Sequence, residues 1–99
     1  MIRSVAGALA LLALSWMAVP AGARPVSVGE CAACHGEDGI ARDVEVPHLA
    51  GQNERYLYNQ MLAFRSGKRP HKEMRVMSRQ MTNEEMAALA AYYAALPPR

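Results

Sequence analysis

Two cysteines and a histidine stand in one short run, Cys31-Ala32-Ala33-Cys34-His35, and their spacing implies a chemistry. Residues three apart share one face of a helix, so both thiols can reach the two vinyl groups along one side of a porphyrin. The next residue, His35, then falls beneath the ring, where its imidazole can meet the iron. C-x-x-C-H is the attachment signature of c-type haem. A bare C-x-x-C could also be a redox dithiol or half of a zinc site. The adjacent histidine, an export-type N-terminus and the absence of any other cysteine favour haem.

The N-terminus reads as a secretory signal. Met1-Ile2-Arg3 supplies a positive start, residues 5–19 are apolar apart from Gly7 and Ser15, and Pro20 precedes the small-x-small run Ala21-Gly22-Ala23. Residues 1–23 are expected to be removed before Arg24, leaving residues 24–99 as one domain in the periplasm. Were the segment retained, residues 4–23 carry no charge and are about long enough to span a bilayer, which would anchor the domain to the membrane. Beyond the signal, ten Lys/Arg face nine Asp/Glu. Two haem propionates would bring this balance just below zero, and neither value points to nucleic acid or a membrane surface as partner.

So short a domain has a marginal core and needs a staple. A disulfide across C-x-x-C would close almost no loop, whereas a covalently held apolar macrocycle would supply the missing core. Residues 28–33 can form one to two helical turns that deliver the motif, and the glycines of residues 36–39 mark a turn. Residues 40–51 read as loop, punctuated by Pro47 and Gly51. Residues 54–65 read as helix from Tyr56, Leu57, Met61, Leu62 and Phe64, stopped by Gly67. Residues 68–80 read as a basic, methionine-bearing loop. Residues 82–96 give the clearest helix: Thr82 as N-cap, Glu85 completing a capping box, Met81 and Met86 as a hydrophobic staple. Its apolar stripe is Met86, Leu89, Ala90 and Tyr93, and Pro97-Pro98 ends it. No strand pattern occurs, so the fold class is all-α.

Iron held by His35 on one side leaves a sixth position to fill. Met61 lies in a helical stripe, and Met81 and Met86 have the staple. Met74, Met77, His48 and His71 remain open on residue chemistry alone. Six basic residues and one acid, Glu73, fall between Arg65 and Arg79. They form a solvated segment, offset haem propionates through Arg69 or Arg75, or meet an acidic redox partner.

The chain resembles the class I c-type cytochromes, nearest the small bacterial c4 and c553 kinds. The resemblance rests on Cys31-Ala32-Ala33-Cys34-His35-Gly36 and Pro47-His48-Leu49-Ala50-Gly51-Gln52. Tyr56, Gln60, Leu62, Phe64, Arg65, Gly67, Arg69, Met74-Arg75, residues 81–85 and Ala90-Ala91-Tyr92-Tyr93 follow at similar spacing. It implies three to four short helices around one haem c, attached through Cys31 and Cys34. It also implies His35 and Met74 as iron ligands, and a Pro47 carbonyl that accepts the proximal imidazole N–H. One departure is that only residues 24–30 precede Cys31, so little helix is available to pack on Leu89 and Tyr93. The implied function is a periplasmic respiratory electron carrier, not an enzyme, exchanging single electrons with donor and acceptor proteins such as a larger oxidoreductase or terminal oxidase. The alternative is a haem c subunit of such an oxidoreductase. A haem-based sensor would need an open sixth site, and a di-haem peroxidase a second C-x-x-C-H.

Overall fold

A computed structural model describes Pro25 and residues 27–99; the leader read at residues 1–23 lies outside them. Among the described residues the architecture is all-α, with four helices: α1 Val28–His35, α2 Glu54–Ser66, α3 Lys72–Arg79 and α4 Asn83–Ala95. No described helix is long and apolar enough to cross a membrane.

The extended Thr82 starts α4, its Oγ1 accepting the Glu85 N–H at 3.1 Å. The reciprocal arm of the expected capping box is replaced: the Thr82 hydroxyl donates to Glu85 Oε1 at 3.3 Å. Met81 and Met86 both enter the core, as a staple requires. The stripe Met86, Leu89, Ala90 and Tyr93 is buried, and Tyr92 joins it.

Asn53 caps α2 by accepting the Tyr56 N–H at 2.9 Å. Gly67 ends it in the left-handed region, φ 84°, where a side chain would be strained. Leu57 and Phe64 face inward, but Tyr56, read above as part of the apolar stripe, is 47% exposed. One residue before Leu57, it is turned about 100° around the helix axis.

The basic segment expected to be loop contains α3. His71, in extended backbone, caps it by accepting the Met74 N–H on Nδ1 at 3.2 Å. Histidine is not among the residues that usually announce a helix start, so the N-terminus of α3 was hidden. The straight-chain residues that follow, Lys72, Glu73, Met74 and Arg75, favour helix. α2 packs against both α3 and α4 and so forms the centre of the fold.

Short as α1 is, it is held. Val28 is completely buried in one cluster with Leu57, Met86, Leu89, Tyr92 and Tyr93, and Cys31 and Ala32 pack against that cluster. Burial of one valine contributes about 1.5–3 kcal/mol, and through Val28 this short helix joins the cluster that holds Leu89 and Tyr93. A groove of about 620 Å³ lies beside α1, lined by Pro25, Glu30, Met81, Glu84 and Glu85 among others, but by neither cysteine nor His35.

Candidate functional site

Cys31 and Cys34 lie one turn apart on α1 as free thiols, Cys31 half-buried and Cys34 exposed. Burial, and secondarily the Glu30 carboxylate, pushes the Cys31 thiol up to about 11, so it is protonated at neutral pH. A redox dithiol or a thiolate metal ligand needs the opposite shift. Among the described residues no group of three or more His, Cys, Asp and Glu side chains could hold a metal ion. Both observations weigh against a dithiol or zinc centre.

His35 follows at the end of α1 and is buried. Its Nδ1 lies 2.9 Å from the Pro47 carbonyl oxygen. A carbonyl only accepts, so Nδ1 carries the proton and Nε2 keeps its lone pair. Burial lowers the His35 pKa, the Pro47 bond opposes that, and the neighbouring charge of His71 lowers it again. The net direction is downward, giving a neutral imidazole, the form that binds iron.

The loop from Gly36 to Gly51 sets that bond. Gly39 O accepts from Leu49 N at 2.8 Å and Ala50 N at 3.0 Å, folding the loop so that Pro47 returns over His35. A Cβ at Gly39 would stand 2.8 Å from Ala50, and its φ is 75°, so only glycine fits this close approach. The far end is tied to α4 by Gly51 N–H donating to Tyr93 O at 3.0 Å.

Met74 and Met77 are both half-buried on α3, three residues apart and so on one face. Their placement on a helix removes the distinction of either as a loop residue. His71 takes the Met74 N–H and the buried Ser78 hydroxyl donates to the Met74 carbonyl at 2.6 Å, while the Met77 carbonyl accepts the Gln80 N–H at 3.2 Å. His48 Nδ1 accepts the Ala41 N–H at 2.7 Å, so both histidine rivals spend one ring nitrogen on the backbone and remain exposed. Neither α1 nor α3 packs on the other as α2 packs on α3 and α4.

Within the basic segment, Arg69 is engaged, donating to Gln60 Oε1 at 2.7 Å with its guanidinium 4.7 Å from the Phe64 ring. Arg65 donates to Met81 O at 3.5 Å. Arg75 is exposed near Gly67.

Sequence reasoning missed three roles. The capping by His71 and the back-bond of Ser78 carry no pattern distinct from ordinary polar residues. The Tyr92 hydroxyl, 2.7 Å from the Glu37 carbonyl, spans a separation in sequence that periodicity cannot see.

The cytochrome c family model matches residues 20–96, which takes in the whole motif, the Pro47 loop and both α3 methionines. The chain belongs to the cytochrome c family. Cytochrome c proteins carry covalently bound haem c and transfer electrons, and the donor set here fits that group: two free thiols on one helix face and an adjacent imidazole whose Nδ1 is bonded to the Pro47 carbonyl. The cytochrome c4 of Pseudomonas aeruginosa is 40% identical over 86 residues, covering 87% of this chain and 43% of its own length. A thiosulfate dehydrogenase electron acceptor from Thiomonas intermedia is 37% identical, covering 98% of this chain and 46% of its own. This cytochrome chain thus spans just under half the length of those relatives. Among solved structures, the cytochrome c4 of Acidithiobacillus ferrooxidans superimposes with a TM-score of 0.64 at 35% identity, over 67% of this chain and 38% of that one. A thiosulfate dehydrogenase from Marichromatium purpuratum gives 0.65 at 39%, over 69% of this chain and 15% of that one.

Proposed function

We propose that this cytochrome is an exported one-electron carrier, with one haem c held through Cys31 and Cys34 and its iron between His35 and Met74. The observation that carries the reading is the His35–Pro47 bond at 2.9 Å. It fixes the tautomer that leaves Nε2 for iron and raises the basicity of that nitrogen. When bound, haem c supplies a ferric/ferrous couple, and thioether ligation favours the ferrous side. The chain's own part is to orient. α1 presents both thiols on one face, the Gly36–Gly51 loop holds the imidazole, and α3 presents Met74 with its backbone anchored at both ends. Met74 rather than Met77 rests on the family spacing. Arg75, exposed on α3, is available to a propionate or to an acidic partner.

The test is the intact mass, under denaturing conditions, of the protein exported from a host with active cytochrome c maturation. The expected species begins at Arg24 and carries one haem, and the Cys31→Ala, Cys34→Ala double variant carries none. A wild-type mass without haem would overturn the reading. A species that keeps residues 1–23 would replace export to the periplasm by membrane anchoring.

A second reading is that the chain serves as a haem c subunit of a larger oxidoreductase. It is favoured by two thiosulfate dehydrogenase electron acceptors, 37% and 40% identical, and by the likeness to a thiosulfate dehydrogenase structure. Size-exclusion chromatography of native extract, followed by haem absorption, separates the two. A haem peak at high mass supports the subunit, and one at the mass of the free chain supports the carrier.

A further inference from the structure

The two partners of the His35–Pro47 bond are both tied to the last turn of α4. Tyr92 Oη donates to the Glu37 carbonyl at 2.7 Å, and Tyr93 Oη reaches the Gly36 carbonyl at 3.4 Å. These carbonyls belong to the two residues directly after His35. On the other branch, Gly51 N–H donates to Tyr93 O at 3.0 Å. A Cβ at Gly51 would stand 2.9 Å from Pro98, so the chain beyond α4 lies against the same residue. The two tyrosine rings are buried and meet edge to face, centroids 5.1 Å apart. They are therefore rigid posts rather than mobile side chains.

From this geometry we propose that the end of α4 is a clamp and Tyr92 a positioning residue for His35. The hydroxyl fixes the turn that leaves the imidazole, while the Tyr93 carbonyl fixes the returning branch that carries Pro47. The inference rests on His35 being the iron ligand. Burial alone would keep the rings in the core, and phenylalanine would serve that purpose equally. The hydroxyls add a defined distance between α4 and the residues after His35. Tyr92 dominates because 2.7 Å is a well-formed O–H···O bond, while 3.4 Å is long for one.

The experiment compares Tyr92→Phe, Tyr93→Phe and Thr82→Ala holoproteins in the ferrous state by NMR, following exchange of the His35 Nδ1 proton. Phenylalanine keeps the packing and removes only the hydroxyl. Tyr92→Phe should accelerate that exchange about fivefold, the equivalent of one net hydrogen bond, with the amides of α2 unchanged. Tyr93→Phe should have a smaller effect. Thr82→Ala weakens α4 at its far end and is the control for general loosening, in which all slow amides accelerate together. Unchanged His35 exchange in Tyr92→Phe, or acceleration shared equally by α2, would overturn the clamp. A wild type without covalent haem would instead overturn the functional reading on which it rests, and that is read before any variant is made.

Discussion

The helices that carry His35 and Met74 are each eight residues long, yet they are secured by different means. α1 has no side-chain cap at Ser27. What restrains it is distant in sequence: Val28 in the α4 core, Pro47 on His35, Tyr92 on the turn beyond. α3 is secured from within its own segment, by His71 at its N-terminus and by Ser78 on the Met74 carbonyl, and packs on α2. An isolated eight-residue helix is marginal in water, so each needs outside help, and each receives a different kind. The proximal side inherits the rigidity of the core. The methionine side depends mainly on local anchors and one neighbouring helix.

The largest expected effect lies on the α3 side. Met74→Ala should abolish the weak near-infrared absorption of sulfur-ligated ferric haem and lower the midpoint potential, because the soft donor favouring ferrous iron is gone. Met77→Ala should keep the band and cost less than the ~2–5 kcal/mol of a fully buried methionine. Reversed behaviour would make Met77 the ligand and shift the register on α3 by three residues.

The restraint on α1 is tested by Val28→Ala, which removes two buried methyl groups. Denaturant unfolding of the holoprotein should show a loss of about 2 kcal/mol, the transfer contribution plus a cavity. A loss near zero would mean that α1 is held by its motif alone.

The smallest effect belongs to Ser78→Ala. The Met74 and Arg75 carbonyls lose a hydroxyl donor at 2.6 and 3.3 Å, and the expected cost is about 1 kcal/mol in the same unfolding measurement. A cost matching that of Val28→Ala would show that Ser78 is a core post, and the contrast between local and distant anchoring would fail.

α4 and α2 were legible because their signals are local: Thr82 with its staple methionines, and the apolar recurrence of residues 57–64 closed by Gly67. The C-x-x-C-H run was equally legible, since three chemical groups within five residues need only one helical turn to converge. α3 was not, because a histidine cap and a charged exterior look like loop. Met74 and Met77, both read as loop residues, lie on that helix.

The sequence by itself determined the all-α class and the gathering of Cys31, Cys34 and His35 on one short helix, both properties of short spacing and residue type. The resemblance to class I cytochromes pointed to Pro47. Tertiary structure alone decided that the Pro47 carbonyl lies 2.9 Å from His35, that Val28 reaches the core, and that Tyr92 meets Glu37 across 55 residues. Such contacts depend on how loops close and helices cross. A pattern of residue types along the chain carries turns and faces, but not the distances between segments that meet only when the chain has folded.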